Sequence, residues 1–474
     1  MASVRKDAAW TAGSTVVSAM SQLLQIALLA HHVDAHLLGA LAIVNVVNAV
    51  ATMIQDMGLS SYLIHRQDIS KPERTSLFLI SAGLGVVSAL ILFVASYGIA
   101  EFYHSEVLGG LLRLSTLNFL MLGVAAQYQA SLIKAFQIPR LARVEVAGRL
   151  SGLATLVIMV FAFNASIEAA VWAMVVNSIV RLVLFIASAD REWHPGREFD
   201  RKIIGEAFRY GAFQFGSQVI NQLRSQADQV ILGKFLGLAS LGVYSLAKEL
   251  VLQPTKLIMP VAARLALPRL ATLQDDPAAL RRVYLLGLRG VSIFSAVVFI
   301  GLAVAAPLAV TILYGHRYDG VASLIPLMLL FGMLRPLGSL IGALSQSQGR
   351  SDIEFAWNLK ICGITLAVSI AGALSRSLEV MSVALAFSQV LSTILSYYFF
   401  SSKIISITAR DFFSAWTLET IVPYAFLMVA VAIYPTDDWK ACAIRFAFAV
   451  PPLLWVAWRS RGVLLSRPAA PVGA

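Results

Sequence analysis

Charged residues are scarce in this chain of 474 residues, of which 13% are Asp, Glu, Lys or Arg and 58% are hydrophobic. A soluble globular domain usually contains about a quarter charged residues. Apolar runs of about 20 residues, long enough to cross a bilayer, follow one another almost from end to end. This composition excludes an ordinary soluble protein and predicts an integral membrane protein with no soluble domain between its spans.

Cysteine is almost absent as well, since Cys362 and Cys442 are the only two. Both lie in apolar helical runs without the spacing of metal ligands, which excludes a disulfide scaffold and favours small core residues. The sequence has no Walker phosphate-binding loop and no His/Cys cluster. The segment HHVDAH, from His31 to His36, fits a turn at the membrane surface better than a metal site. The sequence therefore predicts no cofactor, no metal site and no enzyme activity.

Acidic residues are fewer than basic ones, and the formal net charge is +11. The arginines and lysines lie mainly in the loops of one side, as the positive-inside rule describes for cytoplasmic loops. That placement explains the charge without nucleic acid as a partner, and it predicts that both termini are cytoplasmic. The basic opening, MASVRKDAAW, leads into an apolar run that is too long for a signal peptide and lacks a cleavage site. We therefore expect a retained first helix.

Hydropathy over windows of about 19 residues predicts an all-α polytopic membrane protein with about 14 transmembrane helices. They are expected near 8–31, 37–64, 75–99, 111–134, 144–164, 167–188, 206–233, 238–263, 284–313, 322–346, 353–374, 379–402, 415–434 and 440–459.

Two pairs of segments repeat along the chain. LLAHHVDAHLLGALAIVNVVNAV, from Leu28, aligns without gaps on ILGKFLGLASLGVYSLAKELVLQ, from Ile231, and the alignment pairs Gly39 with Gly242. FYHSEVLGGLLRLSTLNFL matches LYGHRYDGVASLIPLMLL at a similar offset. The repeat indicates two six-helix lobes that are parallel repeats, followed by a C-terminal helix pair.

The largest inside loop separates the predicted lobes. We expect an N-terminal six-helix lobe at 1–188, a cytoplasmic inter-lobe loop at 189–205, a C-terminal six-helix lobe at 206–402, and a terminal helix pair with a cytoplasmic tail at 403–474. Parallel repeats of this kind are known from transporters. Alternating access around a central cavity, lined chiefly by helices one, two, seven and eight, is therefore the leading mechanism.

Several charged residues fall inside predicted spans, where each costs roughly 2.5–3.5 kcal/mol on insertion scales unless it has a partner or faces water. Arg224 and Asp228 lie four residues apart, within reach of each other on one helix face. They form either a structural ion pair or a pair that faces a cavity. In the second interpretation Arg224 binds an anionic substrate, and Asp228 orients Arg224 or carries a coupling ion.

Lys248 and Glu249 form a second charged site near the middle of the membrane. Adjacent helix residues point about 100° apart, so Lys248 is a candidate cavity cation, whereas Glu249, in a coupling or orienting role, is expected to bond to a neighbouring helix. Arg149 and Arg335 are further candidate cavity cations. Four residues near helix ends are expected to extend to the membrane surface: Lys234, Arg209, Lys256 and Arg445.

The stretch DQVILGKFLGLASLGVYSLAKEL, followed by LIMPVAARLALPRLA, resembles the polysaccharide transporter (Wzx-type flippase) branch of the multidrug/oligosaccharidyl-lipid/polysaccharide exporter superfamily. In that branch the seventh and eighth helices read Asp, a few apolar residues, Gly, a short outer turn, and then Gly-x-Tyr-Ser-x-Ala. The matching residues here are Asp228, Gly233, Gly242, Tyr244, Ser245 and Ala247, with a continuation at Pro254, Pro260 and Pro268. SQSQGRSDIEF, from Ser345, is similar to the family's inside turn after the tenth helix.

The resemblance implies translocation of a lipid-linked oligosaccharide on a polyprenyl pyrophosphate carrier, from the cytoplasmic to the periplasmic leaflet of a bacterial inner membrane. Such export serves exopolysaccharide, capsule or O-antigen synthesis. The implied partners are membrane lipids, a coupling H+ or Na+, and glycan polymerase or chain-length machinery. Many members of the family have twelve spans, so the terminal helix pair has no assigned role.

Other functions stay open at this point. A lipid-linked peptidoglycan precursor flippase and a multidrug antiporter belong to the same superfamily. A membrane glycan polymerase or ligase is an alternative from another class, but such enzymes generally need an extended outer loop, and every outer connection predicted here is short. A cation exporter needs carboxylates in its cavity, whereas the candidate cavity residues here are mainly basic.

Overall fold

The computed structural model describes residues 2–66, 68–190, 194–196, 198–200, 202–434, 439–459 and 461. All regular secondary structure in these residues is helical. Among them, 12 helical segments are long and apolar enough to cross a membrane. One of these segments, Gln218–Ala271, includes the second part of the predicted span 206–233 and all of the span 238–263. The apolar helix Thr417–Ile433 is slightly shorter than the rest. The predicted all-α polytopic fold is confirmed, and 14 is an approximate number of spans.

The chain forms two compact units, of which the first is Met1–Ser245. Its helices are α1 (Ala2–His32), α2 (Ala35–Asp56), α3 (Leu59–His65), α4 (Lys71–Tyr103), α5 (Glu106–Lys134), α6 (Ile138–Phe163), α7 (Glu168–Ser188) and the greater part of α8 (Lys202–Ala271).

The second unit is Leu246–Ala474 and begins inside α8. Its remaining helices are α9 (Pro277–Tyr314), α10 (Val321–Leu334), α11 (Leu337–Ser347), α12 (Ser351–Leu374), α13 (Leu378–Ser396), α14 (Ser402–Ile404), α15 (Ala409–Ser414), α16 (Thr417–Ile433) and α17 (Trp439–Arg459). The boundary between the units lies beyond the loop at 189–205, and the predicted lobe limits stay a prediction. The predicted tail from 462 onward lies outside the described residues.

Polar first turns explain why several helices begin before the residues that hydropathy predicts. α4 is expected to start near 75 but begins at Lys71. Ser70 and Glu73 form a capping box, in which the Glu73 amide donates to Ser70 Oγ at 3.5 Å and the Ser70 amide donates to Glu73 Oε2 at 2.7 Å. Charged residues in this turn lower the mean hydropathy of the window, although the caps favour helix.

The second predicted span, 37–64, is wrong at its end, because the helix stops at Asp56. Met57 and Gly58 have φ values of 40° and 76°, in the left-handed region that ends a helix. The Asp56 carboxylate accepts hydrogen bonds from the Gly58 amide at 3.2 Å and from Ser60 Oγ at 2.5 Å. These bonds begin the short helix α3 in place of a continuous span.

The tenth predicted span, 322–346, is divided between α10 and α11. The division falls at Arg335 and Pro336, where proline supplies no amide hydrogen for the helical hydrogen-bond pattern. Both residues keep right-handed helical angles, so the interruption is local.

The long helix α8 has 70 residues and bends at one position. Gly237 has φ 83° and ψ 166°, which is outside the helical region and is accessible mainly to glycine. The bend divides α8 into a first arm (202–236) and a second arm (238–271), which correspond to the predicted seventh and eighth spans.

An ion-pair network holds the start of the first arm. Arg66, after α3, contacts Glu73 of α4 at 2.8 Å and Glu206 of α8 at 2.9 Å. Tyr62 also donates a hydrogen bond to Glu206 at 3.1 Å. Because three helices share these contacts, the orientation of the first arm is fixed relative to α3 and α4.

The described parts of the predicted loop 189–205 pack on the start of α4. The Gly196 amide donates to Thr75 Oγ1 at 2.8 Å, and the Asp200 amide donates to Ser76 Oγ at 2.7 Å. Residues 191–193, 197 and 201 of this loop lie outside the described residues.

The backbones of α2 and the second arm of α8 approach closely at two glycines. A Cβ atom at Gly39 would lie 1.8 Å from the carbonyl oxygen of Leu238, and a Cβ at Gly242 would lie 1.9 Å from that of Ala35. Only glycine permits such an approach. The alignment that pairs Gly39 with Gly242 also pairs Ala35 with Leu238, so each contact is the repeat-related copy of the other.

Candidate functional site

Asp228 is a buried carboxylate in the first arm of α8. Its side chain is only 2% exposed, and its Oδ2 accepts a hydrogen bond of 2.6 Å from the hydroxyl of Tyr244. Tyr244, in the second arm, is itself fully buried. The bond therefore joins the two arms across the bend at Gly237 and stabilises the charge of Asp228 away from water.

Replacement of Tyr244 by Phe should destabilise the protein by about 1–3 kcal/mol, because it leaves the buried Asp228 carboxylate without this donor. We expect a clear decrease in the apparent melting temperature of the purified protein in detergent. Tyr97→Phe is the matched control, since Tyr97 is 56% exposed. Equal melting temperatures for the two variants would contradict the importance of the Asp228–Tyr244 bond.

Arg224 is half-buried one turn before Asp228. One of its terminal amino groups, Nη2, donates a hydrogen bond to Asn221 Oδ1 at 3.2 Å. Asn221 is exposed, whereas Gln222, Ser225 and Gln226 are half-buried on the same arm. The arm therefore carries a polar surface around Arg224, and the predicted Arg224–Asp228 pair stays a prediction.

Lys248 and Glu249 follow Tyr244 in the second arm. Lys248 is 2% exposed, which is unusual for a lysine and agrees with a position inside the protein. Glu249 accepts hydrogen bonds of 2.5 Å from both Gln253 Nε2 and Lys256 Nζ. Both partners lie one to two turns later on the same arm, and the expectation that Glu249 bonds to a neighbouring helix stays a prediction.

Lys256 makes an ion pair in addition to its expected extension to the surface. Its amino group lies 2.5 Å from Glu249, and its side chain is 37% exposed, so it pairs with a carboxylate as well as reaching the surface. Within three helical turns, the second arm therefore carries one carboxylate, one amide and two amino groups, from Glu249, Gln253, Lys248 and Lys256. Such a cluster can bind an anion or hold a proton.

The other two candidate cations lie elsewhere. Arg149 is exposed on α6 of the first unit. Arg335 is half-buried at the junction of α10 and α11 in the second unit, with its guanidinium 5.1 Å from the centre of the Phe331 ring. Arg149 and Arg224 thus belong to the first unit, and Lys248 and Arg335 belong to the second.

Arg181 is an intramembrane cation to which the sequence assigns no specific role. Its Nη2 donates to Gln129 Oε1 at 3.3 Å. Its aliphatic part crosses Gly148 of α6, where a Cβ atom would lie 2.5 Å from Arg181 Cγ. The glycine at position 148 leaves space for the Arg181 side chain. The sequence alone does not show this, because it does not say which helix packs against Gly148.

A second buried ionic group joins the terminal helix pair to α9. Arg289 Nε donates to Glu419 Oε1 at 2.9 Å, and Glu419 is 1% exposed. Arg445 of α17 is also 1% exposed. The expectation that Arg445 extends to the membrane surface is wrong, because its side chain is enclosed by protein.

Metal chemistry has no support in the described residues, where no group of three or more His, Cys, Asp or Glu side chains is arranged to hold an ion. His31 and His32 bond through Nδ1 to carbonyl oxygens of their own helix, each at 2.8 Å.

Residues 28–323 match the profile of the family described as "Polysaccharide biosynthesis protein". The chain is 40% identical over 358 residues to the amylovoran biosynthesis protein AmsL of Erwinia amylovora, a match that covers 76% of this chain and 92% of AmsL. It is 27% identical over 431 residues to the lipopolysaccharide biosynthesis protein WzxC of Escherichia coli K12, covering 90% of this chain and 86% of WzxC.

Among solved structures, the fold is similar to that of the lipid II flippase MurJ in an inward closed conformation. The TM-score is 0.75 with 12% sequence identity, and the match covers 97% of this chain and 99% of MurJ. At this identity the likeness concerns the fold alone.

Proposed function

The chain belongs to the polysaccharide biosynthesis protein family, and from this premise we propose that it is a flippase for a lipid-linked oligosaccharide. It moves a glycan on a polyprenyl pyrophosphate carrier from the cytoplasmic to the periplasmic leaflet by alternating access. The membrane is a bacterial inner membrane, and both termini are cytoplasmic. The product serves synthesis of an exopolysaccharide, capsule or O-antigen.

The observation that carries this proposal is the 40% identity to AmsL across 92% of that protein, together with the multi-pass helical fold. A relation over nearly the full length of AmsL supports a shared task, and AmsL is named as an amylovoran biosynthesis protein. A chain with these spans can contribute to glycan synthesis by moving the lipid-linked intermediate across the membrane.

The chemistry of the substrate fits the charges of α8. A pyrophosphate carrier has an anionic head and an apolar tail, so its transfer requires cations in a hydrated region of the membrane protein. Arg224 suits phosphate through its planar pair of donors, and Lys248 supplies a second charge. Arg149 and Arg335 are further binding candidates, and Asp228 and Glu249 orient these cations or couple transfer to H+ or Na+.

Purified protein in lipid vesicles tests the function directly. A polyprenyl pyrophosphate oligosaccharide with a fluorescent label is placed in both leaflets, and a membrane-impermeant reductant then quenches the outer label. We expect the protein to expose the inner-leaflet label as well, because it transfers the carrier between leaflets. Imposing either an H+ or a Na+ gradient in separate vesicles identifies the coupling ion.

Two comparison substrates make this test specific. One is the same carrier bearing a peptidoglycan disaccharide-peptide, and the other is a labelled phosphatidylcholine. Both should be transferred more slowly than the carrier with the oligosaccharide. No acceleration of any lipid-linked sugar, by protein shown to be correctly inserted, would contradict the proposal. Faster transfer of the peptidoglycan precursor would assign the chain to that substrate instead.

A further inference from the structure

A pocket with a cavity volume of about 530 Å³ lies between α6 and α7, at the ends that the sequence places on the cytoplasmic side. Arg140, Arg143 and Ala147 of α6 line one wall, and Leu184 and Ser188 of α7 line the other. The lining therefore includes both basic and apolar side chains. None of the charged residues in the proposed transport site lines it.

The two arginines differ in how they are held. Arg140 lies 3.5 Å from Asp190, another lining residue, and also donates to Gln137 Oε1 at 2.7 Å. Arg143 donates from Nε to the carbonyl oxygen of Pro139 at 3.2 Å. Within the described residues its two terminal amino groups have no protein acceptor. Arg143 is thus oriented by one bond while its remaining donors are available to a ligand.

The start of α6 adds to this positive potential. Arg140 is the third residue of the 26-residue helix, so the mouth of the pocket lies at a helix N-terminus, where the macrodipole and the first amide groups favour an anion. Asp190 opposes an anion, but its charge is balanced by Arg140 at close range. The net charge of the ionised lining groups is positive because two arginines face one carboxylate.

Exposed apolar side chains lie near the pocket on both helices. Leu150, two turns after Arg143 on α6, is 49% exposed, and Val183 of α7 is 58% exposed. Both helices are long and apolar enough to cross a membrane. A ligand with an anionic head at the arginines and alkyl chains along these side chains matches this surface.

We propose that the α6–α7 pocket binds the headgroup of an anionic membrane phospholipid, whose phosphodiester contacts Arg143 and Arg140. Basic pockets between transmembrane helices at the cytoplasmic face suit such headgroups. The bound lipid fills the space between the two helix ends and stabilises the first unit. This site is separate from the one that handles the transported carrier.

Native mass spectrometry of the full-length protein measures the binding, with phosphatidylglycerol as the probe and phosphatidylcholine as the uncharged comparison. We expect preferential binding of phosphatidylglycerol, and roughly fivefold weaker binding for each arginine removed, since one basic residue near an anionic headgroup contributes about 1 kcal/mol. Arg143→Gln and Arg140→Gln test this. Arg282→Gln, an exposed arginine predicted on the same membrane side, is the matched control and should bind as the parent protein does.

Asp190→Asn distinguishes lipid binding from a structural role. It removes the carboxylate that holds Arg140, so phosphatidylglycerol should bind more tightly, an effect that loss of folding does not produce. Equal binding of both lipids, or phosphatidylglycerol binding that neither Arg143→Gln nor Asp190→Asn changes, would overturn the proposal. Displacement of phosphatidylglycerol by a short-chain polyprenyl pyrophosphate at equal concentration would also overturn it, because the pocket would then be a carrier site.

Discussion

Gly242→Ala is expected to lower both the melting temperature and the transfer rate, although it adds a single methyl group. The new Cβ would lie 1.9 Å from the carbonyl oxygen of Ala35, far inside van der Waals contact, and the obstacle is backbone, which cannot rotate away. The second arm of α8 and α2 must therefore separate. Overpacking of this kind costs about 1–3 kcal/mol, which corresponds to a roughly five- to 150-fold decrease in the folding equilibrium constant.

Gly301→Ala is the matched control for this change. Gly301 also lies within a long helix, α9, but a Cβ there would meet nothing within 4 Å. Alanine is more favourable than glycine in a helix by about 0.5–1 kcal/mol, so this variant should be equally or more stable. Melting curves and vesicle transfer rates measure both variants, and similar values for Gly242→Ala and Gly301→Ala would disprove the close approach.

Gly39→Ala provides an internal check, because its Cβ would meet the Leu238 carbonyl oxygen at 1.8 Å in the reciprocal contact. Both glycines lie at the contact between the same two segments, α2 and the second arm of α8. Once one alanine has moved them apart, the second should cost less, so the double variant should be more stable than the sum of the single effects predicts. Additive losses would show that the two contacts are independent.

Arg224→Ala should reduce transfer of the lipid-linked oligosaccharide by about ten- to a hundredfold while the protein still inserts. A hydrogen bond to a charged group contributes roughly 1.5–3 kcal/mol, so the loss of one such bond to the carrier phosphates corresponds to this range. Arg224→Lys keeps the charge but loses the planar fork, so an intermediate rate is expected. Vesicle transfer and glycan export in cells lacking the native protein measure the effect.

Arg209→Ala is the control for Arg224, since Arg209 is an exposed arginine of the same arm. It should transfer substrate at close to the parent rate. Normal export by Arg224→Ala at normal protein levels would show that Arg224 does not bind the substrate. The family relation and the transfer activity of the parent protein would be unaffected by that result.

Much of the architecture could be predicted, because bilayer crossing imposes a length and an apolarity that a single segment must satisfy by itself. In the described residues, every predicted span corresponds to helix, and the errors fall at span ends and at the interruption between α10 and α11. Ser70 and Glu73 begin helix α4 at Lys71 through capping bonds that hydropathy does not measure. The break at Met57 depends on a left-handed conformation that a methionine rarely adopts, so composition gives no sign of it.

The candidate site was predictable as a set of residues but not as a set of contacts. Asp228 and Lys248 are recognisable because buried charges are exceptional in a membrane helix, and both are 2% exposed. Tyr244, a partner of Asp228, is sixteen residues away across a bend, and Lys256, one of two partners of Glu249, lies seven residues ahead. Such pairings depend on the bend at Gly237 and on side-chain reach, which periodicity does not encode.

The bond between Asp228 and Tyr244 also has a consequence for how the protein is made. When the first arm of α8 emerges from the ribosome, Asp228 is a carboxylate that enters hydrocarbon at a cost of roughly 2.5–3.5 kcal/mol. Tyr244, its hydrogen-bond donor, is synthesised only after the bend at Gly237. If both arms insert together as a helical hairpin, Asp228 enters the membrane with that donor already present. The order of synthesis therefore favours entry of the two arms as one unit.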